Sequence, residues 1–119
     1  MTRGSKETLA LTDRMLEMVR ARVDPALMLK YNKFYIGLAK DGLPNNFVAF
    51  RPRRHHLIAE FKIPRSDELT ERTEESGLET MDYQVRWGQY RVRLTGEDIS
   101  KYETTLAELI DEAYKASGK

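Results

Sequence analysis

The sequence predicts an α+β fold: an N-terminal helix, a five-stranded antiparallel meander with an acidic helix or loop inserted after strand three, and a C-terminal amphipathic helix. Three observations carry this. Apolar residues recur at helical spacing at both ends of the chain, runs of aromatic and branched residues alternate with polar ones in the middle, and turn residues separate those runs at hairpin distance. At 119 residues the chain fits a single domain, 1–119, with an ordered core expected over about 8–116.

From Ser5 to Val23, the residues Leu9, Leu16, Val19 and Val23 recur at steps of seven, three and four, and Met15 and Met18 widen the stripe. Pro25 disfavours helical geometry at Asp24, so this helix is expected to end near Val23. Residues 26–31 fit either a last helical turn or an extended lead-in. Three β-like runs follow, Phe34 to Ala39, Phe47 to Arg51 and Leu57 to Ile63. Asp41-Gly42 and Pro44-Asn45-Asn46 supply turn residues between the first two, and Pro52-Arg53-Arg54 closes the next hairpin. In the third run Leu57, Ala59, Phe61 and Ile63 alternate with Ile58, Glu60 and Lys62, which places the first set in the core and the second on a face at least partly wet.

Pro64 ends that strand, Ser66 is suited to N-cap a helix and Gly77 to terminate it, but Leu69 is the one large hydrophobe between them. Residues 66–82 therefore fit a short acidic helix or a charged loop. Tyr83 to Trp87 and Gln89 to Leu94 read as a hairpin turning at Gly88. Its alternation sets Tyr83, Trp87 and Tyr90 opposite Arg86, Arg91 and Arg93, so the rings are expected in the core rather than in a stacking platform for bases. Ser100 and Glu103 have capping-box spacing, and Ile99, Tyr102, Leu106, Leu109, Ile110 and Ala113 share one face of the final helix.

Lys33-Phe34-Tyr35-Ile36-Gly37-Leu38, the run Asn46 to Arg53, and Trp87-Gly88 followed by Tyr90-Arg91-Val92-Arg93-Leu94 together resemble domain of unknown function family 5655 over about residues 8–116. The resemblance implies a small prokaryotic α+β domain, stand-alone or C-terminal to a nuclease-like domain of the PD-(D/E)XK type, and often described as a predicted transport protein. It also implies a Trp-Gly hairpin followed by a closing helix, as over Trp87 to Tyr114. The matched segments are packing and turn motifs, and Arg86 stands where the family has a Gly-His pair before the Trp-Gly. The resemblance therefore implies a fold and no catalytic residue.

With no cysteine, the chain has no disulfide, thiolate metal site or cysteine nucleophile, which suits a reducing compartment. No apolar run approaches the 18 or so residues of a membrane span, and the first residues lack the apolar core of a signal peptide, so a cytoplasmic protein with no membrane partner is expected. No cofactor motif is present.

The net charge is only +1, yet it is polarised. Residues 30–65 hold eight basic side chains against Asp41 and Glu60, whereas residues 67–82 hold seven acids against Arg72. Arg51, Arg53, Arg54, His55 and His56 cluster at a hairpin tip, and Lys62 belongs to the same basic segment. Together with Arg86, Arg91 and Arg93 on the wet face of the last hairpin they form a candidate surface for nucleic-acid backbone or an acidic protein. Three other readings compete: the acidic segment neutralises the basic one by folding back, it does so in a second copy by self-association, or the charges are ordinary solvated faces. His55 and His56, as neighbours on a strand, point to opposite faces and have no third ligand at useful spacing, so they predict no metal. Glu60-Phe61-Lys62, with Asp41 as a second carboxylate, has the Glu-x-Lys form of metal-dependent nucleases. Strand alternation yields the same pattern, and Asp41-Gly42 is explained as a turn. The leading expectation is a non-enzymatic binding or accessory module; a small nuclease or hydrolase and a self-associating structural module are the alternatives.

Overall fold

A computed structural model describes residues 4–118. Helix α1 (Lys6–Arg22) starts where Ser5, in extended geometry, accepts the Thr8 N–H while the Thr8 hydroxyl accepts the Ser5 N–H, a reciprocal cap. Its buried face is Thr8, Leu11, Thr12, Met15 and Val19, and Leu9, Leu16, Met18 and Val23 only flank it. The expected stripe is thus rotated. Thr12 donates its hydroxyl to the Thr8 carbonyl at 2.9 Å, and this internal hydrogen bond lets a polar side chain sit in the core.

The seven strands are β1 (Met28–Tyr31), β2 (Ile36–Lys40), β3 (Leu43–Pro44), β4 (Val48–Pro52), β5 (Leu57–Lys62), β6 (Glu79–Gln84) and β7 (Gln89–Leu94). All pairings are antiparallel, in the order β1-β2-β4-β5-β7-β6, with β3 beside β2. Residues 26–31, ambiguous in sequence, contain an edge strand. Asp41 and Gly42 take φ of 53° and 79°, the two positive values that a two-residue Asp-Gly hairpin turn requires. The last hairpin joins the sheet through its second strand, so β6 rather than β7 is the edge. That strand also lies earlier than expected, at 79–84, and carries an irregularity between Met81 and Gln84.

The acidic segment is a helix, α2 (Asp67–Ser76), capped by Ser66 and ended by Gly77 in left-handed geometry. It is short of apolar residues because only Leu69 and Thr73 are buried. The Tyr90 hydroxyl holds its start, accepting the Ser66 N–H at 2.9 Å. The C-terminal segment is two helices, α3 (Gly96–Lys101) and α4 (Glu103–Ala116). The expected cap at Ser100 is not used. Thr95 caps instead, with the Asp98 carboxylate accepting the Thr95 N–H at 2.9 Å, and the Ser100 hydroxyl accepts from Arg14.

Register explains how the helices seat. Leu57, Ala59 and Phe61 of β5 lie beside Val48, Phe50 and Pro52 of β4 and Tyr90, Val92 and Leu94 of β7. This face forms one buried cluster with Leu11, Met15 and Val19 of α1, Leu69 of α2, Ile99 of α3, and Leu106, Leu109, Ile110 and Ala113 of α4. The helices therefore gather on one side of the sheet. Among the described residues no helix is long and apolar enough to cross a membrane.

Candidate functional site

The other face of the sheet carries no helix. By register it displays Lys30 on β1, Arg51 on β4, Ile58, Glu60 and Lys62 on β5, Gln89, Arg91 and Arg93 on β7, and Glu79 and Met81 on β6. Five basic side chains thus meet two acidic ones. Ala49, Ile58 and Glu60 are nonetheless buried, so the long side chains around them lie down over the sheet.

At the centre of this face Glu60 is 2% exposed. Its two oxygens are shared between neighbouring strands: Oε1 accepts from Arg51 Nε at 3.0 Å and Oε2 from Arg91 Nε at 2.9 Å. The expectation of a wet Glu60 is thereby corrected, because strands β4 and β7 on either side each bring an arginine over it. Arg51 Nη1 also donates to the Phe34 carbonyl at 3.1 Å, and its guanidinium lies over the Tyr35 ring at 5.7 Å. Burying one carboxylate between two guanidiniums leaves the cluster with a net positive charge and holds each guanidinium through its Nε–H. Among the described residues the Nη groups of Arg91 meet no acceptor, which leaves one planar edge for an incoming anion.

Towards the hairpin tip, Arg53 N–H donates to the His56 carbonyl at 2.9 Å and closes the β4–β5 loop. The His56 ring is held below the usual histidine pKa, first by burial, then by the Arg93 and Arg53 charges, with Glu79 opposing them. Below the ordinary value near 6.5 the unfolded chain accepts a proton that the folded chain resists. This contribution to stability is therefore complete above about pH 6.5 and declines as the pH falls towards the depressed folded value. Between pH 7 and pH 5 the native protein is expected to lose more urea resistance than His56→Gln, measured by circular dichroism; an equal loss would remove this account.

At the opposite end, Val85-Arg86-Trp87-Gly88 forms the β6–β7 turn, with Gly88 at φ 65°. Trp87 is 55% exposed, which corrects its assignment to the core: β6 ends at Gln84, and the alternation counted through Val85 and Trp87 belongs to a turn. Tyr83 and Tyr90 do pack as expected, edge to face with centroids 4.9 Å apart. The Arg86 guanidinium stacks on the Trp87 ring at 5.0 Å. Trp87 walls a groove of about 600 Å³ whose lining includes Phe47, Ile63, Asn46 and Lys62.

Of the nine candidate residues, Arg51, Lys62, Arg91 and Arg93 share the outer face, and Arg53 and His56 adjoin it near Arg93. Arg54 and His55 are exposed at the tip, where the Arg54 carbonyl accepts the Ser5 hydroxyl at 2.9 Å. Arg86 is at the far end, not on the face with Arg91 and Arg93. For the nuclease alternative, Glu60 is committed to two guanidiniums and Asp41 sits in an exposed turn, and among the described residues no group of three or more His, Asp or Glu side chains could hold a metal ion.

The chain is thus an α+β domain with helices on one face of an antiparallel sheet and a basic, arginine-centred opposite face. No family model, curated protein or solved structure matches it.

Proposed function

We propose that this protein is a non-enzymatic binding or accessory module, acting in the cytoplasm, whose outer sheet face engages an anionic partner. The supporting observation is the Arg51–Glu60–Arg91 cluster, which holds two guanidiniums in place on a face left free by the helices. Neutralisation by the acidic segment is limited. Among the described residues Glu79 is the acid of 67–82 that ion-pairs with this face, 3.4 Å from Arg93, while Glu68 pairs with Arg72 inside α2. Exposed pairs of that kind contribute only about 0–1 kcal/mol, so an incoming polyanion displaces Glu79 cheaply.

The test is a salt series of binding to labelled oligonucleotides and to polyglutamate. Affinity is expected to fall with salt, by a log–log slope of about 0.7 for each phosphate contacted in a single strand. The double charge reversal Lys62→Glu, Arg93→Glu is expected to weaken binding about tenfold or more, since neither residue forms part of the buried cluster. Absence of binding at low salt, or binding that ignores this double variant, would refute the proposal.

A further inference from the structure

We infer that the anionic partner is a single-stranded nucleic acid, its phosphates following Lys62, Arg91 and Arg93 and one base seated in the groove against Trp87. The inference rests on the proposed anion-binding face and specifies what that face takes.

The basic face runs without a break into the Trp87 groove. Lys62 lies opposite Gln89 on the outer face and also lines the Trp87 groove, so the basic face and the groove form one surface. Among the described residues the Lys62 ammonium has no ion-pair partner. Arg91 and Arg93 follow from Gln89 at two-residue steps along β7. Such steps separate side chains by roughly 7 Å, the scale of one nucleotide step in an extended strand.

Trp87 itself is placed for stacking. A large aromatic ring left more than half exposed forfeits burial, yet its turn is anchored: Ile63 N–H donates to the Gly88 carbonyl at 3.0 Å. With Arg86 against it, the ring presents a stacking surface in a groove whose volume, about 600 Å³, lies within the range of ligand clefts. Stacking on an aromatic ring accepts any base and pairs naturally with a cationic track for the backbone. A duplex keeps its bases inside and has none to offer this groove. An acidic polypeptide meets the cations but brings no charged chain carrying a planar ring at each step.

The chain has one tryptophan, so its emission reports on the groove directly. The full protein is titrated with an oligothymidylate of about 12 nucleotides, within the usual site sizes, and in parallel with a duplex and with polyglutamate. Quenching by the single strand and a preference of about tenfold over both competitors are expected. Trp87→Ala should weaken the labelled single strand about tenfold by anisotropy and leave polyglutamate binding unchanged, with Trp87→Phe restoring most of the loss. If duplex or polyglutamate binds as tightly and the emission does not move, the single-strand inference falls and the anion-binding face stands. If no polyanion binds at all, both fall.

Discussion

Replacing Glu60 with alanine is expected to destabilise the fold by about 3 kcal/mol, seen as a fall of about 12 °C in thermal midpoint by circular dichroism. Both carboxylate oxygens of this buried residue accept from guanidiniums, and removing them leaves Arg51 and Arg91 facing each other across β5. Breaking a fully buried pair costs about 3–5 kcal/mol; the low end applies because the two arginine side chains are 29% and 19% exposed and reach water. Exchanging the whole cluster, as Arg51→Met, Glu60→Leu, Arg91→Met, should restore most of the stability, because an apolar set of similar volume carries no desolvation cost. That triple variant should bind polyanions poorly. A stable triple variant with undiminished binding would show that the cluster serves packing alone.

Gly37→Ala should cost about 3 kcal/mol, read as a lowered urea midpoint. A β-carbon there would stand 2.1 Å from Asn46 Oδ1 and 2.9 Å from its Cγ, far inside contact distance. Asn46 cannot simply swing aside, because Oδ1 accepts the N–H of the buried Leu38 at 2.9 Å where β2 and β4 share only the Ile36–Phe50 pairing. Either the strands shift, at about 1–3 kcal/mol for overpacking, or the Leu38 N–H loses its partner, at a similar cost. Gly37→Ala combined with Asn46→Ala relieves the clash but not the missing acceptor, so it should recover only part of the loss. A Gly37→Ala variant as stable as the native protein would mean that Asn46 is not fixed there.

What the sequence made legible was local. The Asp41-Gly42 turn, the Ser66 and Gly77 helix ends and the alternation of Leu57, Ala59 and Phe61 each depend on a few neighbouring residues. Two errors arose where local signals were degenerate. Thr95–Asp98 and Ser100–Glu103 have the same capping spacing, and Asp98 reaches back to the Thr95 backbone to decide between them. Trp87 continued an alternation that had ended at Gln84. The burial of Glu60 was not legible locally, because it depends on β7 rather than β6 lying beside β5. A signal was present all the same: one carboxylate in mid-strand, with an arginine in the middle of each neighbouring strand of the actual sheet order. The charge polarity of the chain was plain, but its meaning changed once the acids were placed on α2 and the edge strand.

The Glu60 cluster also has a history in time. Arg51 and Glu60 are nine residues apart within one hairpin, whereas Arg91 comes from 31 residues away, across α2 and the last turn. Hairpin contacts close in about 1–10 microseconds and without long loops, but β5–β7 pairing must first enclose everything from Ile63 to Gly88. The Arg91 contact therefore needs a longer loop closure than the Arg51 contact. Conversely, a fluctuation that lifts β7 from β5 separates Arg91 from Glu60 and so dismantles the proposed anion-binding face, while the contact of Arg51 with Glu60 inside its own hairpin can persist.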